Sequence, residues 1–191
     1  MARSYREYYE ALYHVAQTVN SSLELCEVLA DLTRSVTEAT GFKACSLRLL
    51  APDGNHLKPA AVHGLSPSYV GKGPVQLEHS LIDRLAVGGQ VVQIADAASD
   101  LRWQYPEETE HEGICSVLTV PLRAKDHIIG VLRTYTVEPH HFDEDEVQFL
   151  LALANLGALA IENARCHEQT HVDYRSTLEA VLGFPAWATV P

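Results

Sequence analysis

Apolar positions along the chain mark out helices first and strands afterwards. Between residues 4 and 19, Tyr5, Tyr8, Leu12, Val15 and Val19 recur at spacings of three and four. So narrow a stripe predicts a helix seam that packs on another helix rather than a broad face lying on a core. Asn20-Ser21-Ser22 breaks this helix, and Ser21 with Glu24 forms a capping-box pattern for the next one. Leu25, Val28, Leu29, Leu32 and Val36 supply that second helix with an apolar face, and Gly41 after Thr40 is its C-terminal cap.

Strand signals follow. Ala44–Ala51 reads as a first strand, Pro52-Asp53-Gly54 as a turn, and the return strand runs to about His63. Gly64, Pro67, Gly71, Gly73 and Pro74 then punctuate a loop, and Ser80–Val87 reads as a short helix. Gln90–Ala95 is a third strand, and Asp96–Glu112 is polar and irregular apart from Trp103 and Tyr105. Two apolar segments, Ile114–Leu122 and His127–Val137, flank the polar turn Arg123–Asp126 and predict a central β-hairpin with Lys125-Asp126 at its tip. Gly130 interrupts the second segment, where a bulge or close backbone approach is expected.

Phe142 through Glu146 opens the last helix, with Asp143 as cap and Glu146 three residues on. From Val147 to Ala164 this helix is apolar on nearly every side, so it must be covered on two faces, by the sheet and by the first helix or a second subunit. Cys166–Leu182 continues it as a charged extension, and the proline-containing tail after Leu182 is expected not to be helical. Adjacent hairpins with helices gathered at the chain ends predict an α+β fold. Its central antiparallel sheet carries the N- and C-terminal helices on one face and a loop with a short helix on the other.

Composition narrows the function classes. The 191 residues, 47% of them apolar, suffice for one core. A net charge of −11 with 14 scattered Lys and Arg excludes a nucleic-acid surface. No run approaching the ~20 apolar residues of a membrane span is read, and the N-terminus lacks signal-peptide character. Cys26, Cys45, Cys115 and Cys166 lie far apart without C-x-x-C pairing, which fits a reducing, cytoplasmic setting.

The segment E-G-I-C-S-V-L-T-V-P-L at 112–122, then Ile129-Gly130-Val131-Leu132, Phe142–Glu146 and Ala160-Ile161-Glu162-Asn163-Ala164-Arg165 occur in the order typical of the GAF domain family. The chain resembles that family over about residues 20–165. The resemblance implies a dimerising helix at 1–20, a GAF domain at 21–165 and a helical extension with tail at 166–191. It further implies a sensory module that binds an unidentified small molecule and forms a homodimer through its terminal helices. A kinase, cyclase or transcription regulator would be the effector. The alternatives are a pure dimerisation module and a haem sensor, because His111 stands ten residues ahead of Pro121, as in some haem-ligating relatives. The Asn-Lys pair of cyclic-nucleotide binders and the loop cysteines of bilin-binding and sulfoxide-reducing members are missing.

By that resemblance the pocket lies between the sheet and segments 64–89 and 96–113. Its candidate residues are His63, Tyr69, His79, Trp103, Tyr105, His111, Cys115 and Arg133. Cys115 takes the place of a usual Arg within a strand, where packing is the simpler role. His167-Glu168-Gln169-Thr170-His171 matches H-E-x-x-H. A zinc hydrolase would also need a third ligand and a cleft, so no metal site and no catalytic residue is assigned, and no cofactor is identified. Gly71-Lys72-Gly73 lacks P-loop spacing.

Overall fold

The computed structural model describes the backbone of residues 5–21 and 24–182 and the side chains of residues 5–20 and 24–167. Helices α1 (Tyr5–Ser21) and α2 (Leu25–Thr40) lead into the hairpin β1 (Ala44–Leu50) and β2 (His56–His63). A connecting region follows, with α3 (Pro67–Val70), β3 (Val75–Gln76), α4 (Leu81–Val87), β4 (Val92–Ile94) and α5 (Pro106–His111). The hairpin β5 (Val117–Ala124) and β6 (His127–Tyr135) comes next, and α6 (Glu144–Leu182) closes the chain. The strands form one antiparallel sheet in the order β3-β2-β1-β6-β5-β4, so the two hairpins meet along β1 and β6 at its centre.

Side-chain alternation decides what each face of the sheet carries. Cys45, Leu47, Leu118, Val120, Leu122 and Leu132 point to one side and join Leu32 of α2 and Leu150 and Leu153 of α6 in the main core. The α1 helix lies over α2 and α6, so the chain's own first helix covers the second apolar side of α6. Val15 is fully buried there, and Tyr8 stacks on Phe149 with ring centroids 4.3 Å apart. Gly157 lets α6 approach closely: a Cβ on it would lie 2.9 Å from Leu32 Cδ1.

The cap of α6 is the reciprocal box its sequence predicts. Glu146 N–H donates to Asp143 Oδ1 at 2.9 Å, and Asp143 N–H donates to Glu146 Oε2 at 2.9 Å. The box expected from Ser21 and Glu24 does not open α2. The first helix keeps Ser21 within it, and Glu24 itself becomes the N-cap of α2 without a side-chain capping bond. Gly130 is a close approach: a Cβ there would sit 2.1 Å from the Arg48 carbonyl oxygen on β1.

Three further expectations need correction. Strand β5 begins at Val117 rather than Ile114; residues 114–116 keep two backbone bonds to Thr136, Cys115 N–H to its carbonyl at 2.7 Å and its N–H to the Ser116 carbonyl at 3.0 Å, but lie outside the regular ladder. The segments read as loops contain two short helices, α3 and α5, each opened by a proline in its first turn. They are too short to show a periodic apolar face. Finally, Glu144–His167 is long and apolar enough to span a membrane by length and composition, although no such run was expected. Half of that window is buried within the fold, as a core helix between sheet and helices must be. The side chains of Glu168 and His171 in the H-E-x-x-H match, and the whole tail at 183–191, lie outside the described residues.

Candidate functional site

The opposite face of the sheet is built differently. On β1 the alternate positions Ser46 and Arg48 face it, while Thr119 on β5 and Arg133 and Tyr135 on β6 rise beside them. All five are buried, Arg48 at 1% and Arg133 at 3% exposure. A sheet face that only packed against its cover would carry aliphatic side chains, as the helix-bearing face does.

Arg133 is fully engaged. Its Nε donates to Thr119 Oγ1 at 3.0 Å, its Nη2 forms an ion pair with Asp83 of α4, and its guanidinium carbon lies 4.8 Å from the centroid of the Trp103 ring. Burial opposes the Arg133 charge, but Asp83 and the nearby tyrosines hold the guanidinium above its ordinary range. Asp83 is placed by the cap of α4: Ser80 Oγ donates to Asp83 Oδ2 at 2.6 Å and accepts from Asp83 N–H at 3.4 Å.

The cover is pinned by Thr109 of α5. Its hydroxyl accepts from Trp103 Nε1 at 2.7 Å, donates to the Tyr105 carbonyl at 2.6 Å, and lies 3.3 Å from Tyr69 OH. Tyr69 meets Tyr135 edge to face at 6.2 Å between centroids, and Tyr135 OH lies 2.9 Å from Ser46 Oγ. Burial, with Tyr135 beside it, pushes the Tyr69 phenol up. Glu112 ties α3 to the end of α5: Ser66 N–H donates to Oε1 at 3.0 Å and Ser66 Oγ donates to Oε2. Its carboxyl stays below the usual range although burial works the other way, because both Ser66 donors favour the anion.

Lys72 enters from the loop after α3. Its ammonium sits 3.2 Å from the Tyr69 ring centroid and 4.7 Å from that of Tyr105. Burial, reinforced by Arg133 and Arg48, pushes this lysine down to about 6.

Of the residues anticipated from sequence, Tyr69, Trp103, Tyr105 and Arg133 therefore converge. His63, His79 and His111 do not join them; all three are exposed. Cys115 stands half-buried before β5, its Sγ 3.8 Å from the Ala95 carbonyl. Cys45 faces the helices, and burial pushes its thiol up, as befits an inert core residue. No group of three or more His, Cys, Asp or Glu able to hold a metal occurs among the described residues.

Sequence reasoning missed Ser46, Arg48, Lys72, Asp83, Thr109 and Thr119. One readable signal existed for two of them. In A-C-S-L-R-L-L the polar residues Ser46 and Arg48 alternate with apolar ones, so they share one face of a strand at the centre of the sheet.

A family profile described as GAF domain matches residues 22–162. The anaerobic nitric oxide reductase transcription regulator NorR of Vibrio vulnificus is 25% identical over 184 residues, which is 89% of this chain and 36% of that protein. The chain thus spans about a third of the length of the curated relatives it matches. Among solved structures, the GAF domain of a Coxiella burnetii phosphoenolpyruvate-protein phosphotransferase superposes with a TM-score of 0.76 at 26% identity, covering 86% of this chain and 98% of that one. The corresponding Acinetobacter domain gives 0.71 at 28% identity, covering 83% and 94%.

Proposed function

The chain belongs to the GAF domain family of sensory, signal-transducing modules, and from that premise we propose that it is the ligand-sensing part of a regulatory protein. The observation that carries this reading is the buried polar face of the sheet. Arg48, Arg133, Thr119 and Ser46 occupy a central surface that plain packing would fill with aliphatics. Aromatic walls with a few fixed polar groups suit recognition of a small molecule. A ligand there touches α3, α4 and the strands β1, β5 and β6, whose other face bears α1, α2 and α6. Movement of the sheet against those helices is the signal path, and α6 carries it toward an effector such as a transcription regulator.

The same helices form the homodimer interface in this proposal. Tyr5, Tyr9 and Tyr13 line the outer side of α1 at 73%, 68% and 57% exposure. Beside them a groove of about 430 Å³ opens between α1 and the start of α6, lined by Tyr8, Leu12 and Phe149. A second copy of α1 and α6 would cover this surface. The module is read as binding rather than catalytic, acting in the cytoplasm.

Native mass spectrometry of protein purified without added ligand, compared with its denatured mass, tests both parts. A dimer carrying a defined extra mass supports the sensor. A bare mass that no small-molecule panel changes refutes it, and a monomer at tens of micromolar in light scattering refutes the dimer.

A further inference from the structure

We propose that the buried polar face of the sheet takes a small anion, with carboxylate-like oxygens that lie against the guanidinium of Arg48. The inference rests on the sensor reading and specifies its ligand class. Arg48 is 1% exposed, and its Nε and Nη1 meet no hydrogen-bond acceptor among the described residues. A buried guanidinium without a carboxylate or carbonyl partner is rare, because desolvation of the charge is then uncompensated. Only one other buried side-chain atom, Gln104 Oε1, is similarly unpartnered among the described residues.

The neighbouring charges show why an anion is the missing partner. Ser46 of β1 pairs with Arg133 of β6, and Arg48 pairs with Val131, so the two arginines stand diagonally on adjacent strands. Such positions are about 7–8 Å apart. Asp83, the carboxylate that faces the arginines, is committed to Arg133 and to the Ser80 hydroxyl. Lys72 approaches from the cover and feels both arginines. Lys72 is offset on the cover side by Glu108 first and Asp83 next, with Glu112 also near it, whereas on the sheet the only carboxylate paired with either arginine among the described residues is Asp83.

An anion beside Arg48 also changes Lys72. The groups acting on that ammonium are Arg48 and Arg133 from the sheet, Asp83 from α4, Glu108 and Glu112 around α5, and the rings of Tyr69 and Tyr105. Burial first, and then Arg133 and Arg48, hold its proton off, and a bound negative charge offsets the arginine part. Binding is therefore coupled to proton uptake at Lys72.

The test is calorimetric titration of the whole chain with benzoate, acetate and inorganic phosphate, and with neutral benzamide as control. Benzoate binding with acetate and phosphate weaker would identify an organic acid; phosphate binding best would identify an inorganic oxyanion. Repeating the titration at pH 7.5 in buffers of different ionisation enthalpy should reveal uptake of up to about one proton. Arg48→Met should weaken the anion at least tenfold and leave the circular dichroism spectrum unchanged. Lys72→Met, a change in the cover, should abolish the proton uptake even if the arginine variant misfolds. Failure of all three anions to bind overturns the proposal. Benzamide binding as tightly as benzoate, or a co-purified neutral molecule retained by Arg48→Met, would overturn the anion class while leaving the sensor reading standing.

Discussion

Changing Asp83 to Asn removes one charge from the buried polar site and keeps the side chain's shape. The asparagine oxygen can still accept from Ser80, so the cap of α4 survives. What is lost is the counter-charge to Arg133, in a pair whose side chains are 2% and 3% exposed. Thr119 and the Trp103 ring remain as the partners of the guanidinium, and neither carries charge. Breaking a buried ion pair from one side costs about 3–5 kcal/mol, because the remaining charge stays buried and uncompensated. For a chain of this size each kcal/mol shifts Tm by about 2–4 °C, so thermal unfolding followed by circular dichroism should fall by roughly 6–20 °C. Adding Arg133→Met to Asp83→Asn removes the orphaned charge and should recover more than half of that loss, giving a strongly non-additive cycle. A single variant within about 2 °C of the parent, under the same conversion, would refute the view that Asp83 neutralises Arg133 in a dry site.

Other perturbations probe separate parts of the argument. Gly130→Ala places a Cβ 2.1 Å from the Arg48 carbonyl oxygen, so expression of soluble, cooperatively unfolding protein should be lost or severely reduced; a normal melting curve would contradict the close approach of β6 to β1. Asp143→Ala removes one half of the α6 capping box and should cost about 1 kcal/mol in denaturant unfolding, whereas an unchanged midpoint would show that the box is incidental. Lys72, held down to about 6 in the folded chain, binds fewer protons there than when unfolded at any pH between about 6 and its ordinary value. Its contribution to stability therefore rises with pH across that window. Lys72→Met should flatten the rise and stabilise the ligand-free protein near neutral pH, and an unaltered stability profile would count against the half-buried, cation-flanked position.

Much of the architecture was legible in local sequence. Of the stripe Tyr5, Tyr8, Leu12, Val15 and Val19, the last four mark the packed side of α1 while Tyr5 is exposed, and Gly41 at φ 64° is the left-handed cap expected after α2. Asp143 and Glu146 announced the start of α6. Helical period, capping chemistry and turn residues act over a few neighbours, so they survive translation from sequence without a tertiary context. The capping box expected at Ser21 failed for a complementary reason. A local pattern names a favourable bond but cannot say where the preceding helix stops, and α1 runs through Ser21.

The candidate site divided along the same line. Aromatic residues in the loops marked Tyr69, Trp103 and Tyr105 as material for a pocket wall, because large rings seek burial wherever they occur. The three histidines carried the same promise of chemistry and are exposed: His63 ends β2, His111 ends α5 and His79 lies in a turn, and nothing in their local sequence fixes which side of these segments faces the sheet. By itself the sequence determined the types of the longer elements and the apolar face shared by the helices, consequences of short-range periodicity, and its ordered motifs pointed to the family. Only the tertiary structure decided that Arg133 pairs with Asp83, fifty residues away, while Arg48 Nε and Nη1 find no hydrogen-bond partner among the described residues. Charge balance in a buried site is a property of strand register and of which helix lies above it, and neither is written in any contiguous stretch of the chain.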